Sequence, residues 1–266
     1  LYEVLAAGVN SATGGNLQPY SILIEKNRLK NQHLAQLCGG QSFIGQAPVN
    51  LIFLLDWHKL AMYSRKNNAP FVCNKSFRHF TIAMDDVTCA AQSIETAAWL
   101  YGIGSCYVGT ILECIPAIAE LYNLPMLTAP VLLLSLGYPK TMAVPRKKLD
   151  QDMVVFRGAY PALSLEKISE AYDRKYAGMR FSLPSDPHKR RALLEEFRAA
   201  LRTTYNEAKC EEIVRAADKA GSIAEIQRRF GLHYHAAEML SPDVIEGLAS
   251  QGIYPFYSLL EQEPKP

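Results

Sequence analysis

Ala97-Ala98-Trp99-Leu100-Tyr101-Gly102-Ile103-Gly104-Ser105-Cys106-Tyr107-Val108-Gly109 contains a G-x-G whose context decides the fold class. A dinucleotide-binding Rossmann loop follows a strand and opens a helix. Here the order is reversed. An alanine-rich helix runs into the glycines, and Ser105 to Thr110 reads as a strand leaving them. Gly109 also lacks the spacing of that fingerprint. The segment is therefore a helix stop, or a stretch of backbone lying against a ligand.

Upstream, the periodicity predicts the strongest helix over Phe80 to Tyr101. Ala83, Val87, Ala90, Ile94, Ala97 and Tyr101 recur at steps of four and three, and Ala91 and Ala98 widen the stripe. So broad a face of small residues predicts a buried central helix that a neighbouring helix approaches closely. Asp85 and Asp86 fall in its first turns, where negative charge is favoured, and read as capping and a solvated edge. Val49 to Leu55 is a buried strand, Ser21 to Glu25 a shorter one, and Leu29 to Cys38 a helix stopped by Gly39-Gly40. Tyr2 to Val9 is the end of a helix, and Asp56 to Arg78 reads as a long loop with one helical turn. Downstream come a helix at Ile115 to Tyr122, a buried strand at Val131 to Leu136 and a short edge strand at Met153 to Phe156. After Tyr160 the strand signal stops. Ser164 to Gly178 is a helix with Ser at its start and Gly at its end, and Ser185 to Gly247 is a string of amphipathic helices.

The chain has 266 residues, 49% of them apolar, and a formal net charge of only +2. That suits one large domain with an extension. The charge balance calls for neither nucleic acid nor a membrane surface as partner, and no apolar run approaches the roughly 20 residues of a bilayer span. The first residue is Leu, so an internal or trimmed start is expected. Six cysteines with no C-x-x-C pair predict free, mostly buried thiols in a reducing cytoplasm. No metal site is expected. His233-Tyr234-His235 places two imidazoles at i and i+2, which do not share a helix face.

Two further segments carry candidate chemistry. Thr13-Gly14-Gly15-Asn16-Leu17-Gln18-Pro19-Tyr20 precedes the first strand. It is a turn built from the usual residues, or a backbone that approaches a planar ligand while its amides match the donor and acceptor edge of a flavin. Pro145-Arg146-Lys147-Lys148-Leu149 is a solvated basic patch, or a phosphate grip.

In this order and spacing the segments resemble the nitroreductase-like flavoproteins. Asn16-Leu17-Gln18-Pro19-Tyr20 is similar to that family's N-x-Q-P-aromatic segment. Phe43-Ile44-Gly45-Gln46-Ala47-Pro48-Val49 is similar to its lead into the second strand. The alanine-rich helix with Gly102 to Gly109, Leu124-Pro125, Leu136-Gly137-Tyr138-Pro139 and Pro145-Arg146 continue the likeness. The family's Arg-rich phosphate-binding segment would lie upstream of residue 1.

The resemblance implies an α+β fold, a three-layer α/β/α arrangement with a central mixed, mostly antiparallel sheet. Residues 1–160 would form the FMN-binding domain and 161–266 a helical extension or cap. Thr13, Asn16 and Gln18 would contact flavin. Val108 and Gly109 would lie against its reactive edge, and Arg146 and Lys148 would hold its phosphate. The family is a cytoplasmic homodimer with FMN at the subunit interface. It transfers hydride from NAD(P)H to an electron-poor small-molecule acceptor such as a nitroaromatic or quinone, without a catalytic side chain. The alternatives are a flavin-binding or structural member that has lost turnover, or a relative with dehalogenase, azoline oxidase or flavin-fragmenting activity.

Overall fold

The computed structural model of the chain describes residues 1–141, 144–233 and 242–256. Two compact units emerge, one of residues 1–142 together with 241–266 and the other of residues 143–240. The first is built on a four-stranded sheet of β1 (Tyr20–Glu25), β2 (Val49–Asp56), β3 (Gly104–Val108) and β4 (Thr128–Gly137), in the order β1-β2-β4-β3. Every pairing is antiparallel.

β2 reads as an unbroken apolar run because both of its faces are covered. Leu51, Phe53 and Leu55 enter one core and Ile52 and Leu54 the other. Each such side chain contributes about 1.5–3 kcal/mol by its burial. Pro130 sits in a central strand, where it has no N–H to give the ladder. The register accommodates it: Phe53 pairs with Leu132 and Leu54 with Pro130, leaving Val131 as the extra residue of a bulge.

α1 (Tyr2–Val9) and α5 (Phe77–Leu100) cover the first face. Val4, Ala83, Val87, Ala90, Ala91, Ile94 and Ala98 join Phe53, Leu134 and Leu136 there. The small-residue stripe of α5 thus packs against its own sheet and α1 and is not free to meet a second copy. Gly8 is what allows the approach: a Cβ there would lie 2.5 Å from Ile94 Cγ1 and 2.8 Å from the Ala90 carbonyl oxygen.

The other face carries α2 (Arg28–Leu37), the short α3 (Ser42–Gln46), the 3-10 segment Thr110–Cys114 and α6 (Ile115–Leu121), through Leu34, Ile44, Ile111 and Ile118. Asn27 caps α2, its Oδ1 accepting from the Leu29 and Lys30 N–H groups. With helices on both faces, the unit has the expected three layers.

Two local expectations need correction. Much of the stretch read as a loop between residues 56 and 78 is α4 (His58–Lys66), whose face is only half-buried and so lacks a clear apolar stripe. The strand expected over Met153 to Phe156 is absent. A 3-10 turn at Gln151–Met153 ends where that strand would begin, and of its residues only Met153 is buried.

The second unit holds α7 (Leu165–Lys175), β5 (Arg180–Ser182), α8 (Pro187–Leu201), α9 (Glu207–Ala220), β6 (Ser222–Ala224) and α10 (Glu225–Arg228). Phe197, Leu194, Val214, Ala217 and Ile223 form its core. The ribbon β5–β6, paired over three residues on each strand, is not legible in the sequence because three-residue strands carry no alternation. α11 (Pro242–Ser250) belongs to the first unit, where Leu248 and Ile253 join the first core and Gly247 lies against Ile115. Tyr234 and His235, and the tail from 257 onward, lie outside the described residues. No helix among the described residues is long and apolar enough to cross a membrane.

Candidate functional site

Thr13, Asn16 and Gln18 share one loop, between α1 and β1. Gly15, Asn16 and Gln18 all have left-handed backbones, with φ of 60°, 56° and 48°. Two non-glycine residues held at positive φ store strain of the kind that marks ligand clamps. The loop is tied down from below. The Gly14 N–H donates to Asp86 Oδ1 at 2.8 Å, and the Gln18 N–H donates to Thr13 Oγ1 at 3.3 Å. Gln18 Nε2 donates to the Val9 carbonyl at 3.0 Å. Thr13 and Gln18 therefore shape the loop from within, whereas Asn16 is exposed and presents its amide outward.

Asp86 was read from the sequence as a solvated edge. It is instead 5% exposed on the buried face of α5, and its Oδ2 has no hydrogen-bond partner among the described residues. Burial pushes its carboxyl above the ordinary 3.8, the Gly14 N–H pulls it back, and Asp85 raises it further. The signal was present in the sequence: Asp86 stands three residues after Ala83 and four before Ala90, on the apolar stripe itself. Beside it, burial raises the Tyr20 hydroxyl, which donates to the Gly8 carbonyl at 3.2 Å.

A groove of about 360 Å³ runs from the loop along α1 and β1, lined by Val9, Gln18, Tyr20, Ile22 and Lys59 among others. Lys59 Nζ donates to the Tyr20 carbonyl at 3.0 Å and pairs with Asp56 at 3.5 Å.

Val108 and Gly109 lie at the far edge of the sheet. Val108 ends β3 with its side chain buried in the second core, so its backbone alone faces outward chemistry. Gly109 is exposed, has an ordinary φ of −84°, and a Cβ built there would meet nothing within 4 Å. Backbone torsion does not require glycine at this position, so the open face over its Cα is what a planar ligand could use.

The strand order separates these groups. Tyr20 pairs with Leu55 and Val108 with Leu133, so the Thr13–Gln18 loop and the Val108–Gly109 turn open toward one end of the sheet. They nevertheless flank opposite edges, three strand spacings or roughly 14 Å apart. Arg146 and Lys148 lie in the second unit, exposed on an irregular segment at 144–150.

A four-stranded antiparallel sheet with helices covering both faces is an α+β fold. The family model of the Nitroreductase family matches residues 1–138, and the chain belongs to that family. The oxygen-insensitive NADPH nitroreductase of Salmonella typhimurium is 27% identical over 202 residues, covering 73% of this chain and 82% of that protein. The solved NADPH:FMN oxidoreductase of Vibrio harveyi, complexed with NAD+, is 26% identical at a TM-score of 0.59, covering 65% of this chain and 73% of that one. A putative oxidoreductase from Bacteroides fragilis superposes over 95% of this chain and 90% of its own, with a TM-score of 0.73 and 22% identity. That last likeness extends the fold comparison beyond the matched family segment.

Proposed function

We propose that the protein is an FMN-dependent oxidoreductase that takes electrons from NAD(P)H, and that each flavin is held between two copies of the chain. The observation that carries the two-copy arrangement is the placement of the candidate flavin contacts at opposite edges of one sheet. The Thr13–Gln18 loop of one copy and the Val108–Gly109 turn of its partner would then face a single ring system.

In that arrangement Asn16 offers its amide to the polar edge of the ring. Asp86 fixes the loop through the Gly14 N–H, and Gly109 leaves room for close stacking of its peptide. Arg146 and Lys148 are the cations suited to a phosphate monoester. This chemistry asks no described side chain to act as acid or base; the chain positions, orients and sets the polarity around the ring. Bound FMN would accept two electrons from NAD(P)H and deliver them to an electron-poor small molecule such as a nitroarene or quinone. The names of the Salmonella and Vibrio relatives support this reaction class. Its dependence on NAD(P)H makes the cytoplasm the fitting compartment.

One purification tests the reading. The expected result is a yellow dimer whose denatured supernatant contains FMN, with NADPH or NADH oxidised on addition of a quinone. FAD in the supernatant, or no flavin after reconstitution, refutes the cofactor. A flavin-loaded monomer refutes the shared site, and a flavin-loaded dimer without NAD(P)H turnover identifies a binding protein.

A further inference from the structure

The second unit contains a cavity of about 540 Å³ that uses none of the residues assigned to flavin. That volume falls in the range of small-molecule sites. Strand geometry supplies one wall. β5 and β6 pair Arg180 with Ala224, Phe181 with Ile223 and Ser182 with Ser222. Side chains alternate between the two faces of a ribbon. Phe181 and Ile223 enter the core of the unit, so Arg180, Ser222 and Ala224 stand on the opposite face.

α7 supplies another wall. Ala171 is its only buried residue. Tyr172 and Tyr176, one turn apart on the same helix face, line the cavity and take no part in the core. Their rings stack with centroids 6.1 Å apart and planes 26° apart. The Lys175 ammonium lies 5.7 Å from the Tyr172 centroid and 5.2 Å from that of Tyr176. The return from helix to strand is tight. Gly178 has a left-handed φ of 74°, and the Met179 N–H donates to the Tyr176 carbonyl at 2.8 Å. That turn puts Met179 and Arg180 on the wall, and Ile226 completes the apolar lining with Ala224.

The charged groups are few. Ser222 holds the Arg180 guanidinium, Nε donating to its Oγ at 2.9 Å and Nη2 to its carbonyl at 3.2 Å. Among the described residues Arg180 Nη1 has no acceptor and the guanidinium meets no carboxylate. Lys175 likewise meets only the two rings. Glu225, next to Ala224, is neutralised by Arg228 at 2.8 Å and Arg229 at 2.9 Å. Asp173, the carboxylate of the lining, is exposed to solvent.

We infer that this cavity binds a planar aromatic carboxylate. The two tyrosines and the Met179 thioether pack on the faces and edge of the ring. Arg180 Nη1 takes the carboxylate, and Lys175 adds positive charge beside the stack. A neutral aromatic would leave the guanidinium without an anion, and an aliphatic carboxylate would forgo the stacking. Binding here is independent of the flavin reading.

The test is a calorimetric titration of 2-naphthoate into the full chain as purified, with amide hydrogen exchange to locate the ligand. The expected result is one 2-naphthoate per chain and slowed exchange across α7 and β5. 2-Naphthylmethanol, with the same rings and no charge, should bind at least about tenfold more weakly, the effect of losing a hydrogen bond between charged groups. Cyclohexanecarboxylate, charged but not planar, should bind severalfold more weakly. Arg180→Gln should lower 2-naphthoate to the affinity of the alcohol and leave the alcohol unchanged. Tyr176→Ala, on a helix face outside the core, should weaken both ligands severalfold. Should Arg180→Gln fail to fold, the two naphthyl ligands compared on wild type and Tyr176→Ala decide. Equal affinity for 2-naphthoate and 2-naphthylmethanol overturns the proposal, and so does affinity that survives these substitutions, which would place the ligand elsewhere on the chain. Absence of saturable binding also overturns it; a second copy of the chain filling the cavity would give that result, with α7 already protected from exchange before any ligand is added.

Discussion

Asp86 offers the sharpest test of how the loop before β1 is held. Its Oδ1 accepts the Gly14 N–H at 2.8 Å in a nearly dry setting, and its Oδ2 has no partner among the described residues. A hydrogen bond to a charged group is worth about 1.5–3 kcal/mol. Asp86→Ala removes it and leaves the Gly14 N–H without its acceptor. Three left-handed residues follow within four positions, so the loop should lose its shape rather than relax in place. If that energy appears in cofactor binding, FMN affinity falls by about ten- to a hundredfold, at 1.4 kcal/mol per decade. Asp86→Asn keeps an acceptor of the same shape and should lose about tenfold or less, since a neutral bond contributes about 0.5–1.5 kcal/mol. The pH dependence has a definite sign. A carboxyl whose folded-state pKa is raised binds its proton more readily when folded, so wild-type stability declines as pH climbs from 3.8 through the raised value. The neutral Asn variant lacks that decline. Its Tm relative to wild type should therefore rise across that interval. Thermal melts from acid to neutral pH and fluorescence titration with FMN measure both effects. An Asp86→Ala protein with unchanged Tm and unchanged FMN affinity would show that the Thr13–Gln18 contact holds the loop unaided and refute the reasoning.

Other substitutions separate stability from binding. Gly109→Val should leave Tm nearly unchanged, because its Cβ meets open space, while FMN titration shows weakened binding; equal affinity would remove the turn from the site. Arg146→Ala should weaken FMN binding by about 1.5–3 kcal/mol, and Lys148→Ala by less; salt-independent, unchanged affinity would return both to the solvated surface. Gly8→Ala gains about 1 kcal/mol of helix propensity but forces a methyl to 2.8 Å from a backbone carbonyl, and overpacking costs about 1–3 kcal/mol, so denaturant melts should show a net loss. In the second unit, Glu225 pairs with Arg228 at 2.8 Å and Arg229 at 2.9 Å, which hold its carboxyl down at about 2. A depressed acid stabilises above its unfolded value of 4.5 and loses that contribution as pH falls toward about 2, so a Glu225→Gln difference seen at neutral pH should vanish on acid titration.

The elements legible in the sequence are those whose burial leaves a pattern. β2 is apolar throughout because both faces are covered, and α5 shows its stripe because one face is. α4 was missed because none of its residues is buried. α11 reads as one more amphipathic helix of the C-terminal string, since nothing in Pro242 to Ser250 tells which unit its apolar face meets. That choice is made by Ile115 and the first core, more than a hundred residues upstream. The alanine stripe of α5 shows the same limit from the other side. Periodicity identified a face made for close approach, but Gly8 supplied the approaching helix from within the same chain.

The candidate site divides along the same line. Motif order along the chain selects Thr13, Asn16, Gln18, Val108 and Gly109; of these, Asn16 and Gln18 carry left-handed backbone, Gly109 is exposed with an ordinary φ, and Val108 is buried. What motif order cannot convey is which sheet edge each segment reaches. β3 precedes β4 in the chain yet lies outside it, so the turn after β3 and the loop before β1 are driven to opposite edges. Asp86 escapes for a different reason. A carboxylate in the first turns of a helix has an obvious local purpose in the helix dipole, and that explanation stands until one asks which face the residue occupies. Counted from Ala83 and Ala90, it faces inward, and a buried carboxylate needs a donor. The Gly14 N–H of the glycine loop is the donor it meets. The same stripe that marks the core therefore marks the residue that anchors the loop.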